Sequence, residues 1–389
     1  MFRRRIRSGS PQSAHTSLDR GFVCLVSLGF LLGLPVSRAF HFSSAPASTT
    51  PREAAGQVRH FHSTELALSV AAQRENARSQ VEKNAVSVDD DPQQIAEFQD
   101  RIVKQSFQEV EPLLHTYLAA HPRSWKAYYF LGYVQFRQRR IGDSLKALAR
   151  SLELNADNAD AHRILGRDLS IIGRYDFALR EYEQALRLDP RSAETHYNIG
   201  RIYAIQDNFP KARRELEAAI QLDANYMEAY NALGFAVETL GDDAAALQDY
   251  QTAMRLNEDR HAKFEAPYVN SGGYYNRRGQ LDLAVEYANK ALALNPRSDL
   301  AYFQIAKACR TRKDWKGVTD ALEKAIAINP SRPQYFYVLG AAYRKLGKIQ
   351  ESDRALASFQ HLEKGAAEFE KQRREADRAT RGLELRPEE

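Results

Sequence analysis

From Trp125 to about Ala366, apolar residues recur with the period of an α-helix, and the helical stretches themselves recur. Small residues mark the register. Gly132, Gly166, Gly200 and Gly234 lie 34 residues apart, Gly272 follows after 38, and Ala306 and Gly340 return to 34. Twelve residues beyond each stands a second mark, at Ser144, Ala178, Ala212, Ala246, Ala284, Val318 and Ser352. Seven further on comes a third, at Ser151, Ala185, Ala219, Ala253, Ala291, Ala325 and Phe359. A fixed period of this size marks a stacked array of supersecondary units. Antiparallel helices approach to about 8–10 Å only where the crossing residues are small, so these marks are contact points. Larger residues fill the space between them: Leu131, Leu165, Leu233 and Leu339 on one helix, and Leu148, Tyr182, Leu216, Tyr250, Leu322 and Leu356 on the other. One helix pair cannot bury its apolar surface alone, but each covers the next.

The pattern predicts an all-α superhelix with regular repeats at 125–158, 159–192, 193–226, 227–264, 265–298, 299–332 and 333–366. Residues 91–124 read as a worn capping repeat. Asp91 and Pro92 supply an N-cap and a first helical residue, and Ile95, Phe98 and Ile102 form a helical stripe. Phe98 and Val110 hold the places of small residues, so this unit is expected to pack more loosely. Gly365 is expected to end the last pair, with a charged capping helix and tail at 367–389. The fourth repeat is four residues over length in 257–264, and Gly272-Gly273 then lies inside a first helix. A tolerated insertion, a bend in the array and a close backbone approach all fit that pair.

These marks resemble those of the tetratricopeptide repeat (TPR) family, arrays of helix–turn–helix units. The glycines match the family's small residue of the first helix, and the alanines at 178, 212, 246 and 284 match that of the second. Those at 185, 219, 253, 291 and 325 match its second alanine, and Pro190, Pro296 and Pro330 the proline that closes a repeat. The resemblance implies a concave groove lined by the first helices, and a non-catalytic scaffold that binds a peptide or partner protein there. It places Tyr129 and Tyr133, then Arg163 and Arg167, then Tyr197, Asn198 and Arg201 in the groove. Phe235, Asn270, Lys307 and Arg310 follow, with Arg277, Phe303, Tyr337, Arg344 and Lys345 on the same face. Arginine binds carboxylates in bidentate fashion, asparagine bonds backbone amides, and tyrosine covers apolar side chains. Arg163, Arg167 and Asn198 match part of the family's carboxylate clamp. Glu228 and Ala232, however, stand where the following repeat of that clamp is basic. The plain competitor is that the arginines pair with neighbours such as Asp160.

Composition changes this picture at the ends of the chain. Hydrophobic residues make up 43% of the 389 and charged residues 27%, ordinary values for a soluble protein. The net charge is +5, yet residues 1–39 hold six arginines against Asp19 alone. The remainder carries 49 basic and 49 acidic residues and is neutral, which argues against nucleic acid as a partner. Arginines ahead of the apolar run 21–36, with Ser37 and Ala39 after it, predict a secretory signal peptide cleaved after Ala39. It resembles the export signals of bacterial envelope proteins, so the expected location is periplasmic or secreted. A membrane association follows only if 21–36 is retained, in which case the chain reads as an envelope-anchored spacer. Residues 40–90 read as a low-complexity linker with a helix possible at 64–84. His41, His60 and His62 lack carboxylate or cysteine partners at metal-ligand spacing, so no metal is expected. Cys309, the one cysteine left after cleavage, fits a buried thiol better than a nucleophile. No phosphate loop, zinc spacing or nucleophile elbow occurs. The expectation is no enzyme and no cofactor. A glycan-binding array using Tyr129, Tyr133 and Phe235 is the remaining alternative.

Overall fold

A computed structural model describes residues 90–384. The leader and the helix expected at 64–84 lie outside the described residues. Among the described residues there are sixteen α-helices, joined in consecutive hairpins, so the all-α superhelix of about seven to eight repeats is observed. The worn unit is α1 (Pro92–Val103) and α2 (Phe107–Ala120). Then come α3 (Trp125–Arg137) with α4 (Ile141–Leu154), α5 (Ala159–Ile171) with α6 (Tyr175–Leu188), and α7 (Ala193–Ile205) with α8 (Phe209–Leu222). The second half holds α9 (Met227–Thr239) with α10 (Asp243–Asp259), α11 (Ala266–Arg277) with α12 (Leu281–Leu294), α13 (Asp299–Thr311) with α14 (Trp315–Ile328), and α15 (Pro333–Lys345) with α16 (Ile349–Glu384).

Local signals begin these helices. Asp91 accepts from the backbone N–H groups of Gln93 and Gln94, and Ser124, Asn158, Ser192 and Ser298 cap α3, α5, α7 and α13 in the same way. Each hairpin then turns through one left-handed residue at a fixed place: Arg139, Gly173, Asp207, Gly241, Gly279, Lys313 and Gly347 all have positive φ. The N–H of the next residue reaches back into the first helix, as from Arg174 to Leu169 O at 2.8 Å, which satisfies a terminal carbonyl.

Packing follows the small marks. A Cβ added to Gly132 would stand 2.6 Å from Leu148 Cγ, and one on Gly200 2.8 Å from Leu216 Cγ. On Gly166 and Gly234 it would meet the rings of Tyr182 and Tyr250 at 2.8 Å. Gly272 differs, because its partner sixteen residues on is Ala288. The space is taken by Gln304, reaching over from α13 to within 3.6 Å of that Cβ position. Gly272 still needs its small size, since Ala284 O would lie at 3.2 Å.

One expectation is corrected, and the extra length of the fourth repeat is placed. The surplus at 257–264 goes mainly into helix: α10 has 17 residues where α4, α6 and α8 have 14. Asn257, buried at its end, accepts from the Phe264 N–H at 3.0 Å and ties the return down. The break at Gly365 does not occur, and the capping segment continues α16 without interruption. A lone glycine costs about 1 kcal/mol in a helix, and the helix formers that follow outweigh it. In the worn unit α1 and α2 do meet over a smaller face, although Phe98 and Val110 are both buried and Phe98 packs edge-on against Tyr117 at 5.3 Å. The far end of the stack is closed by polarity. Asp353 and Gln360 occupy α16 places that hold Val285 and Leu292 in α12.

Candidate functional site

Successive first helices approach one another directly, α3 to α5, α5 to α7, α7 to α9, α9 to α11 and α11 to α13. Successive second helices show no comparable approach among the described residues. The array therefore curves with the first helices on its inner side, where the candidate residues lie.

On α3, Tyr129 and Tyr133 are half-buried. Arg137 donates to the Tyr133 hydroxyl at 2.6 Å and lies over the Phe107 ring. Burial raises the Tyr129 phenol above its ordinary range, and nearby Asp160 adds to the effect. On α5, Arg163 and Arg167 close on one carboxylate, that of Glu194 from α7. Arg163 Nε stands 3.2 Å from Oε2 and Arg167 Nη1 2.8 Å from Oε1. Arg163 also pairs with Asp160, as the competitor reading expected, and Arg167 stacks over Phe136 at 4.8 Å. Glu194 was not among the sequence candidates. Its signal is available all the same: second position of the third repeat, beside the fifth and ninth positions of the second.

Tyr197 and Asn198, expected as groove contacts, are only 8% and 6% exposed. Tyr197 is covered by the Tyr226 ring at 4.9 Å and by the Arg201 guanidinium at 5.3 Å, so both serve packing more than contact. Arg201 Nη1 reaches Asn198 Oδ1 at 3.4 Å, while its buried Nε has no acceptor. Phe235 packs on Phe209 at 6.0 Å, and Asn270 donates to Asn231 Oδ1 at 2.8 Å. Lys307 lies over Phe303 at 5.7 Å, and Arg310 is exposed. The structure thus gathers Tyr129, Arg163 and Arg167 around Glu194, and leaves Phe235, Asn270, Lys307 and Arg310 apart from them. Glu228 is half-buried, and burial raises its carboxyl.

Beneath this face lies Asp168, fully buried on α5 in the place held by Val134, Ile202 and Ala236 in neighbouring repeats. Ser144 lies beside it but donates its proton to Gly132 O, and neither Asp168 oxygen has a hydrogen-bond partner. Loss of hydration pushes the carboxyl up to about 8, against weaker lowering by Ser144 and Arg167. Cys309 is half-buried and its thiol is raised, first by burial and then by Asp314, the opposite of an activated nucleophile. No group of three or more metal-ligating side chains occurs among the described residues, and no helix there is long and apolar enough to cross a membrane.

Comparison with known proteins gives the same architecture. A family model described as TPR repeat matches residues 166–207 and 200–241, and models described as tetratricopeptide repeat match 96–159 and 266–298. The BBSome complex member BBS4 of Bos taurus is 30% identical over 123 residues, which is 32% of this chain and only 22% of that protein. Among solved structures, a tetratricopeptide repeat protein from Parabacteroides merdae is 16% identical with a TM-score of 0.54, over 64% of this chain and 96% of that one. PilF of Pseudomonas aeruginosa is 19% identical with a TM-score of 0.45, over 54% of this chain and 94% of that one. At 16% identity the Parabacteroides merdae structure speaks to fold alone. With sixteen helices in consecutive hairpins among the described residues, and repeat models matching 96–159, 166–241 and 266–298, the chain contains TPR repeats.

Proposed function

We propose that the inner face holds a peptide or a segment of a partner protein, which makes the chain a non-catalytic interaction scaffold. One observation carries this reading. The contacts between paired helices are made by the small marks and their Leu or Tyr partners, whereas Tyr129, Tyr133, Arg163 and Arg167 stay part-exposed on the inner side. Tyr129 and Tyr133 rest against the core and the two arginines pair with Glu194, yet all four keep accessible surface that supports apolar cover and carboxylate recognition. Arg167→Glu combined with Arg201→Glu is expected to weaken capture of the native partner by about tenfold, since reversed charges oppose the same ligand. The melting temperature should stay within a few degrees. Capture at wild-type strength would remove the inner face from consideration.

We further propose that this scaffold works outside the cytoplasm, on the strength of the arginine-led apolar run before Ala39. Mass spectrometry of the mature N-terminus tests this. A start at Phe40 is expected, and retention of Met1 would favour the anchored spacer instead.

A further inference from the structure

Within each hairpin the second helix sends one side chain across to the small mark of the first. In the second and fourth repeats that side chain is a tyrosine. The Tyr182 and Tyr250 rings lie against Gly166 and Gly234, and both are fully buried. Each hydroxyl has a partner on the first helix of its own repeat, twelve residues earlier. Tyr182 is hydrogen-bonded to Ser170, and Tyr250 donates to Glu238 Oε2 at 3.0 Å. Elsewhere the crossing residue is Leu148, Leu216, Leu322 or Leu356, and twelve residues earlier stands Phe136, Ala204, Arg310 or Arg344. None of those four side chains accepts a hydrogen bond. An acceptor on the first helix thus goes with a ring on the second.

The fifth repeat keeps the acceptor without the ring. Asn276 stands in the place of Ser170 and Glu238, and Ala288 in the place of Tyr182 and Tyr250. Asn276 Nδ2 donates to the backbone carbonyl of Gln304 at 2.9 Å, which fixes the amide's orientation. Its Oδ1 is then shut off from solvent with no donor to meet it. Ser271, in the place of Leu165 and Leu233, is fully buried, and its Oγ has no partner either. The helices have not closed up to compensate. A Cβ on Gly272 would lie 3.2 Å from Ala284 O, against 3.1 Å from Gly234 to Ala246 O. The room is taken by Gln304 of α13, whose Cγ stands 3.6 Å from that Cβ position. Its amide lies over Gly273, with Nε2 3.3 Å from the Cβ position there. Gln304 is buried, so a flexible polar chain from the next repeat plugs a place that holds a ring in two others.

We propose that the fifth repeat binds one small phenol between α11 and α12. Its ring takes the place of the Tyr182 and Tyr250 rings, its hydroxyl donates to Asn276 Oδ1, and Gln304 is displaced. Phenol is what a tyrosine side chain adds to an alanine, and Ala288 supplies the alanine. Apolar spaces in protein cores admit single aromatic rings. A buried acceptor without a donor is a cost that such a ligand relieves. Because Ser271, Gly272 and Ala288 are all buried, the ligand is a free molecule and not a tyrosine carried on another chain. The site lies inside a hairpin and stands independently of the inner-face scaffold reading.

The test is isothermal titration calorimetry of the full chain with phenol, benzene and N-acetyltyrosinamide. Phenol should bind, and the melting temperature should rise with its concentration. Benzene fills a similar volume but offers no hydroxyl, and it should bind about tenfold more weakly. Gln304→Ala removes the plug and should tighten phenol binding about tenfold. Ala288→Tyr supplies ring and hydroxyl from the chain itself, so it should raise the melting temperature without ligand and abolish phenol binding. Retained phenol binding in Ala288→Tyr, equal binding of benzene, or no binding of phenol by wild type and Gln304→Ala alike would each overturn the proposal. Binding of N-acetyltyrosinamide as tight as that of phenol would put the ring on a partner chain and overturn it too. Partner capture through Arg167 and Arg201 is a separate readout that none of these outcomes decides.

Discussion

Along α5 and α7 the guanidinium groups of the inner face already have company. Arg163 and Arg167 share Glu194, and Arg201 lies on the Tyr197 ring. At the ends of α13 and α15, by contrast, Arg310, Arg344 and Lys345 face solvent with no acid on the helices that carry them except the engaged Asp299. The same repeat frame thus presents two electrostatic surfaces. The N-terminal one is held in place by its own ion pairs and stacked rings, at the cost of having much of its charge already matched. The C-terminal one is less constrained, and the charges of Arg310, Arg344 and Lys345 stay unmatched. Period and helix packing are common to both halves, so the difference lies wholly in the side chains that packing leaves over.

The largest effect is expected beneath the N-terminal half. Asp168→Val places the residue of the equivalent Val134 site in a slot that now holds an unpartnered carboxyl. It should raise stability by about 2–3 kcal/mol, the scale of a buried polar group without a hydrogen bond. The pH dependence carries an unusual sign. The folded-state value of about 8 exceeds the ordinary 3.8, so the unfolded chain gives up its proton first. The stability this group confers is complete below pH 4 and is lost as the pH climbs towards 8. Melting curves across that range should slope downward for the wild type and less steeply in Asp168→Val, where Asp249, raised to about 7 by burial, and Glu228 still contribute. Parallel slopes in the two proteins would show that Asp168 is not the group responsible. The helices α13 and α15 carry Ala308 and Ala342 in the corresponding places, so no equivalent carboxyl stands there.

A second, smaller contrast concerns helix contact. Gly132→Ala drives a methyl to 2.6 Å from Leu148 Cγ and is expected to cost about 2 kcal/mol by chemical denaturation. Gly272→Ala meets Ala284 O at 3.2 Å, and the gain in helix propensity should hold it within about 1 kcal/mol of wild type. Equal losses at the two sites would remove the packing difference between them.

Much of the frame was legible in the sequence because it rests on size. Gly132 and Leu148, or Gly166 and Tyr182, are complementary shapes repeated in phase, and periodicity detects them without coordinates. The left-handed turn leaves a weaker trace, with glycine at 173, 241, 279 and 347 but Arg139, Asp207 and Lys313 in the other repeats. The site was harder to read. Facing the inner side does not decide whether a residue stays accessible, and Tyr197 and Asn198 are covered by Tyr226 and Arg201, whose approach depends on how neighbouring repeats rotate. Charge placement was hidden for a similar reason. Glu194 answers two arginines in the preceding repeat, a relation that shows only when the second position of one repeat is set beside the fifth and ninth of the one before. The run through Gly365 failed as a stop signal because glycine ends a helix only when the chain beyond it has somewhere else to go.

Glu194 also sets terms for any visitor. A carboxylate arriving at Arg163 and Arg167 does not fill a vacancy; it must displace a rival tethered to the neighbouring helix, whose effective concentration is of millimolar order or above. A free acidic amino acid or a single chain terminus competes poorly on those terms. A ligand that grips several repeats at once can surrender some energy there and recover it elsewhere. If the inner face takes a ligand, the tethered acid sets a threshold that disfavours small anions and favours occupants long enough to engage the array in more than one place.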